Sequence, residues 1–197
     1  MTKTKICGVT SVEDAEVCID AGADFVGFIL SDSPRRVNYV QLERLREAIG
    51  ASIQCVGVFA NAEDLLDFSQ SCDVVLDYYQ VYFDATELEV RQPAVGWIRA
   101  IWMNGIVNGK LTRIPMPTLL DFKNSDLSIM REQLAPHRDA VGNAVILAGR
   151  LTPDNVGAIV SELAPWGVDV ARGTEAAPGK KDHQLVRRFI ESVKNAR

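Results

Sequence analysis

Histidine is nearly absent from this chain: His137 and His183 are the only two among 197 residues. A three-histidine metal site or a serine–histidine triad is therefore hard to assemble. The four cysteines (Cys7, Cys18, Cys55 and Cys72) never stand at CxxC spacing, which removes the common zinc and thioredoxin-like motifs. Three of them are expected to be small core residues. No apolar run approaches the roughly 18 residues that a membrane helix requires. No Pro- or Gly-rich linker and no low-complexity stretch divides the chain, so residues 1–197 read as a single domain. The opening Met1-Thr2-Lys3-Thr4 runs straight into a strand-like segment. No signal peptide is expected, and reduced thiols in the cytoplasm are. The net charge of −5, without a basic stripe carrying interleaved aromatics, argues against a nucleic-acid partner.

What is present is an alternation of short apolar runs with amphipathic ones. Strands are expected at Thr4 to Cys7, Asp24 to Leu30, Ile53 to Phe59, Tyr79 to Tyr82, Trp97 to Trp102, Thr118 to Phe122, Ala144 to Ala148 and Val168 to Val170. Asp24 to Leu30 is nearly all apolar, as a parallel strand buried on both faces should be. Between them lie helix signals. Ser11 with Asp14 forms a capping-box-like start, Asn61 and Thr152 read as caps, and helices are expected near Ala85 to Arg91, over Asp126 to Arg138 and over Asp182 to Asn195. Met103 to Ile114, with Gly105 and Gly109, is a poor helix. Eight βα-like units favour an α/β fold closed as a (β/α)8 TIM barrel, with an open doubly wound sheet as the alternative. A typical barrel has about 250 residues, so a barrel of this length has trimmed loops.

Active sites of such barrels form from the loops that follow the strands. The chemically capable residues at those places are Cys7, Arg35 and Arg36, Asp121, Arg150 and Arg172. A thiol and a carboxylate across one pocket suit a proton-transfer pair. Gly8 permits tight backbone geometry beside a ligand. Arg36 suits bidentate capture of a carboxylate or phosphate. Asp121 ends the apolar run Leu119-Leu120, where an uncompensated charge is costly. Gly149 and Gly173 follow the seventh and eighth strands, where barrels often bind phosphate through backbone amides.

Several segments carry a family resemblance. Lys5-Ile6-Cys7-Gly8-Val9-Thr10, Glu13-Asp14-Ala15, Gly22-Ala23-Asp24 and Ser33-Pro34-Arg35-Arg36 lie at the start. Val56-Gly57-Val58-Phe59, Leu119-Leu120-Asp121, Leu147-Ala148-Gly149 and Pro178-Gly179-Lys180-Lys181-Asp182 follow. Together they resemble phosphoribosylanthranilate isomerase along the whole chain. The resemblance implies an Amadori rearrangement of N-(5-phosphoribosyl)anthranilate in tryptophan biosynthesis, without metal or organic cofactor. It implies Asp121 as general acid, Cys7 as general base and Arg36 on the anthranilate carboxylate. The substrate-contacting set is expected to be completed by Gly8, Gln80, Gly149, Asp169 and Gly173, and, from their places after the seventh and eighth strands, by Arg150 and Arg172. The expected partner is an anionic small molecule, and the expected assembly a monomer or homodimer.

The departures from the family pattern concentrate at the loops. Gln80-Val81-Tyr82-Phe83 stands where the family has Gln-Leu-His-Gly. Phe122-Lys123-Asn124-Ser125-Asp126 replaces a glycine-rich loop after the sixth strand. Arg150 and Arg172 stand where the family has a glycine and a serine. An arginine there either pairs with the phosphate or fills its place. The second reading is accordingly a divergent relative, non-catalytic or repurposed, binding another anion. A related histidine-pathway isomerase fits less well, since such enzymes use an aspartate at the position of Cys7.

Overall fold

The computed structural model describes residues 1–83, 96–103 and 117–196. Eight parallel strands form a closed barrel in sequence order: β1 (Lys3–Cys7), β2 (Phe25–Ile29), β3 (Gln54–Phe59), β4 (Tyr78–Phe83), β5 (Trp97–Met103), β6 (Thr118–Phe122), β7 (Val145–Ala148) and β8 (Gly167–Val170). The barrel closes where β8 pairs back onto β1, with Lys5 opposite Asp169 and Ile6 opposite Val170. All eight expected strands are present, shifted by no more than a residue or so at their ends. The open-sheet alternative is excluded by this closure.

The period-two alternation of strands sorts side chains into two cores. Cys7, Phe25, Val56, Val58, Ile98, Ala100, Leu119, Ile146 and Ala148 form a compact cluster that fills the barrel interior. Their alternate neighbours, such as Ile6, Val26, Leu120 and Leu147, join the larger core under the helices. The helices are α1 (Val12–Ala21), α2 (Tyr39–Ile49), α3 (Ala62–Ser71), α4 (Leu127–Leu134), α5 (Arg138–Ala144), α6 (Val156–Leu163) and α7 (His183–Asn195). Asn61 caps α3 by accepting from the Asp64 amide, and Asp182 caps α7 by accepting from Gln184 and Leu185. Among the described residues, no helix is long and apolar enough to cross a membrane. The helix expected near Ala85 to Arg91 and nearly all of the Met103 to Ile114 segment lie outside the described residues.

Four local expectations need correction. Ser11 caps α1 by accepting from the Asp14 amide, but the Asp14 carboxylate does not complete a capping box. It is buried and turned to the other end of the chain, where Oδ2 accepts from the Lys181 amide and Oδ1 lies 2.9 Å from His183 Nε2. Thr152 does not cap α6. The Asn155 side chain accepts from the Thr152 amide and donates to Ser125 Oγ and the Arg150 carbonyl, bracing the loop before the helix begins. The helix expected over Asp126 to Arg138 breaks into α4, a tight turn Ala135–His137 and α5, because Pro136 cannot donate to a continuing ladder. A small hairpin unannounced by periodicity, β9 (Glu175–Ala177) with β10 (Lys180–Lys181), packs against the loops that follow β1 and β2, where Thr10 donates to the Gly179 carbonyl.

The last helix shows how the ring is held. Val186, Phe189, Ile190 and Val193 are its buried residues, at the spacing of one helical face. They pack where α7 meets α1 and α6. Phe189→Ala is expected to cost about 3–5 kcal/mol in urea unfolding. Arg188→Ala, which breaks only an exposed pair with Asp154, is expected to cost less than about 1 kcal/mol. Equal costs would show that this apolar face is not what fastens the helix.

Candidate active site

A cavity of about 310 Å³ opens at the carboxyl ends of the strands. Cys7 at the end of β1 and Asp121 near the end of β6 both line it, as do Arg35, Tyr82, Trp102, Asp169, Arg150 and Arg172. Of the residues expected after separate strands, all but Arg36 are therefore brought to one cavity, because parallel strands deliver all their carboxyl ends to one rim.

Cys7 is 5% exposed. Burial pushes its thiol pKa up, Asp169 adds to the rise, and the ammonium groups of Lys5 and Lys181 oppose it. Lys5 is 1% exposed and donates to Asp169 at 2.7 Å. Burial disfavours the Lys5 ammonium, but Asp169 and Cys7 outweigh that and raise its pKa. Lys181 Nζ donates to the Cys7 carbonyl at 2.6 Å. Two fixed cations thus flank the thiol, and they favour the thiolate when a proton leaves.

Asp121 has its pKa raised to about 6. Burial is the main cause. The Tyr82 hydroxyl donates to Oδ2 at 3.0 Å and works against the rise, as do Lys5 and Arg172, while Asp169 adds to it. The Tyr82 ring stacks on Trp102 with centroids 4.3 Å apart. Neither aromatic was singled out from the sequence, although strand alternation puts Tyr82 in the same inward series as Gln80.

Of the two neighbouring arginines, Arg35 rather than Arg36 stands on the cavity wall. Arg36 is exposed, and its backbone forms a bridge with Ile29 that extends the sheet by one residue. Arg35 sits inside the turn that the Arg36 amide closes by donating to the Ser33 carbonyl at 3.0 Å, whereas Arg36 has already joined the sheet edge, so the two guanidinium groups part company. Arg35 pairs bidentately with Glu175 through Nε and Nη2, at 2.7 and 2.8 Å. Glu175 also meets Lys181 at 3.4 Å. Burial works against the Glu175 charge, but these cations outweigh it and lower its pKa.

Gly8 and Gln80 are not on the cavity wall. Gly8 has φ +72°, and a Cβ there would stand 2.9 Å from Arg35 Cδ. Its part is to let the arginine stem cross it. Gln80 is buried one pleat below Tyr82 in the barrel interior. Gly149 and Gly173 do line the cavity. A Cβ on Gly149 would overlap the Phe122 carbonyl, and one on Gly173 the Leu151 carbonyl. Arg150 and Arg172 are exposed at the rim and, among the described residues, form no ion pair. Nor does any group of three or more His, Cys, Asp or Glu among the described residues have metal-holding geometry.

This arrangement has counterparts in known proteins. The model of the N-(5'-phosphoribosyl)anthranilate (PRA) isomerase family matches residues 4–192. The N-(5'-phosphoribosyl)anthranilate isomerase of Rubrobacter xylanophilus is 36% identical, over 99% of this chain and 100% of its own. That of Geotalea uraniireducens is 37% identical over 98% and 99%. Among solved structures, the chain resembles monomers of the dimeric isomerase of Thermotoga maritima, with TM-score 0.80, 30% identity and coverage of 99% and 100%. It also resembles a phosphoribosyl anthranilate isomerase in complex with reduced 1-(o-carboxyphenylamino)-1-deoxyribulose 5-phosphate, with TM-score 0.77, 30% identity and coverage of 98% and 99%. With a match running from the first strand to the last helix, the chain belongs to the N-(5'-phosphoribosyl)anthranilate isomerase family.

Proposed function

We propose that this protein catalyses the Amadori rearrangement of N-(5'-phosphoribosyl)anthranilate to 1-(o-carboxyphenylamino)-1-deoxyribulose 5-phosphate, with Cys7 and Asp121 as its proton-transfer pair. The observation that carries the reading is that both groups line one cavity, with the Asp121 pKa near 6. At that value a useful share of Asp121 holds a proton near neutrality, as a general acid must. Asp121 gives its proton to the ribose ring oxygen. The C1–O bond breaks and the nitrogen lone pair forms a Schiff base. The Cys7 thiolate, held between Lys5 and Lys181, removes the proton from C2. The resulting enolamine tautomerises to the ketone product.

The substrate carries a carboxylate at one end and a phosphate at the other. Arg35, rather than Arg36, takes the carboxylate in this reading. The guanidinium has five N–H donors, and the pair with Glu175 uses two of its nitrogens. Arg150 and Arg172 supply charge for the phosphate at the loops after β7 and β8, close to the glycines there. The partner is thus an anionic small molecule, and the cytoplasm the compartment assigned. The alternative of a repurposed binder for another anion rests on the altered loops that carry Arg150 and Arg172, and the likeness to the isomerases along the whole chain favours the isomerase over it.

Turnover of N-(5'-phosphoribosyl)anthranilate by the purified protein tests the function. Cys7→Ser and Asp121→Asn are each expected to lower kcat by at least about a hundredfold; near wild-type rates in both would sink the assignment. Asp121→Asn is also expected to be the more stable protein at pH 8. The folded pKa of about 6 lies above the ordinary 3.8. The stability contributed by Asp121 is therefore complete below the unfolded pKa and lost as pH rises through about 6. Above that, the confined charge costs up to about 3 kcal/mol. Urea unfolding of the two proteins at pH 8 and at pH 4 reads the difference, which should shrink at the lower pH.

The pH profile supplies a separate check. With Asp121 titrating below Cys7, the form that reacts has a proton on Asp121 and none on Cys7. Its population is constant between the two pKa values and falls below that of Asp121. Tyr82→Phe removes a hydrogen bond that holds the Asp121 pKa down, so the acid limb of kcat/KM should move to higher pH. The substrate phosphate also titrates near about 6, so the displacement between the two proteins is the informative quantity. Superimposable limbs would show that Tyr82 does not tune Asp121.

Arg35→Lys keeps the charge but loses the planar fork. A KM increase of about tenfold or more is expected for Arg35→Lys, and a near wild-type KM for Arg36→Ala. The reverse pattern would return the carboxylate contact to Arg36.

A further inference from the structure

The cavity wall carries one feature that proton transfer does not use. Trp102 at the end of β5 is 53% exposed, although it is the largest apolar side chain on that wall. One face of its indole is covered by the Tyr82 ring, with an interplanar angle of 22°. The Tyr82 ring is itself pinned, because its hydroxyl is held by Asp121. The result is a rigid two-ring stack whose outer ring stands at the cavity mouth. A half-exposed tryptophan forgoes burial that its large apolar area would otherwise gain. A flat aromatic ligand would supply that burial.

The order of strands around the barrel says where such a ligand would lie. β7 and β8 carry Gly149, Arg150 and Arg172, the cationic end of the cavity that takes the phosphate in the reading above. Cys7 on β1 and Asp121 on β6 flank the centre. A substrate anchored at β7 and β8 and crossing between these two groups extends toward the opposite arc, from β2 to β5. That arc presents Arg35 after β2 and the Tyr82–Trp102 stack on β4 and β5. A cation and an aromatic surface on the same arc match a planar ring that carries a carboxylate.

We propose that Trp102, braced by Tyr82, is the surface on which the substrate's aryl ring packs, and so makes this enzyme selective for N-aryl aminoaldose phosphates. The proposal rests on the isomerase reading above. It assigns Trp102 to binding alone, since the indole has no group placed to move a proton in the reaction. Ring packing that is equal in ground and transition states changes KM and leaves kcat nearly as it was.

The test compares wild type, Trp102→Ala and Trp102→Phe in three measurements. These are steady-state turnover of N-(5'-phosphoribosyl)anthranilate, the Kd of its borohydride-reduced product, and the Kd of ribose 5-phosphate, which has no aryl group. Trp102→Ala should raise KM and the Kd of the reduced product about tenfold. It should keep kcat within about threefold and leave the affinity for ribose 5-phosphate unchanged. Trp102→Phe should recover most of the loss. An unchanged KM and Kd in Trp102→Ala overturns the proposal. So does an equal loss of affinity for ribose 5-phosphate, which would mark a general disturbance of the cavity. Absence of turnover by the wild-type enzyme would instead overturn the isomerase reading, and the packing surface with it.

Discussion

The seam between β8 and β1 is where the barrel must close, and a buried ion pair sits on it. Lys5 and Asp169 are opposite one another in the strand register and joined at 2.7 Å inside the barrel. Removing two charges from water costs several kcal/mol each, and their attraction roughly returns that amount. The pair is therefore a poor source of net stability. Either partner alone would be a buried, uncompensated charge, so closure of the seam and burial of the pair require one another. The same pleat that turns Lys5 inward turns Cys7 inward two residues later. The cation that balances Asp169 is thus placed beneath the thiol, and closing the barrel charges the site in the same step.

A second set of charges fixes the rim. Lys181 lies on β10, reaches the Cys7 and Ala171 carbonyls and meets Glu175 on β9. Burial lowers the Lys181 pKa although Glu175 and Cys7 pull the other way. Glu175 in turn holds Arg35, and Asp14 receives the Lys181 amide from the far end of the sequence. The hairpin between residues 175 and 181 therefore does more than brace the loops after β1 and β2. It carries the counter-ion of the arginine that faces the cavity and the ammonium that flanks the thiol, and α1 anchors it through Asp14.

The barrel strands could be read from the sequence because fully buried parallel strands leave continuous apolar runs, such as Phe25 to Ile29 and Thr118 to Phe122. Cys7 and Asp121 were legible because each stands at or next to the carboxyl end of a strand, where parallel barrels build their sites. Arg35 and Arg36 were not separable, because the segment from Ser31 to Arg36 is a turn without periodicity. Which of two adjacent arginines faces inward depends on a backbone bridge between Arg36 and Ile29 that sequence spacing does not encode. The Tyr82–Trp102 stack was hidden because aromatics in strands are ordinary core residues. Counting inward positions from Gln80 and from Ala100 would have brought both to the rim. The β9–β10 hairpin had a signal in Pro178-Gly179, a turn dipeptide between two short polar strands.

The glycines and arginines at the phosphate end have different physical causes. Gly149 has φ +112° and its missing Cβ would overlap the Phe122 carbonyl, while a side chain on Gly173 would strike the Leu151 carbonyl. These glycines are demanded by the close passage of neighbouring loops, whatever ligand lies above them. Arg150 is under no such constraint, although it holds φ +51°, a left-handed conformation that costs a non-glycine residue roughly 1 kcal/mol or more. A loop that accepts that cost places beside the cavity, next to Gly149, a guanidinium that forms no ion pair among the described residues. An oriented backbone amide offers a partial charge at a fixed point, whereas an arginine offers a full charge on a long arm. Replacing the first by the second keeps an anion site while removing the need for glycine. In the proposed reading, that exchange lets these loops differ from the family pattern while Cys7 and Asp121 keep their places on the cavity.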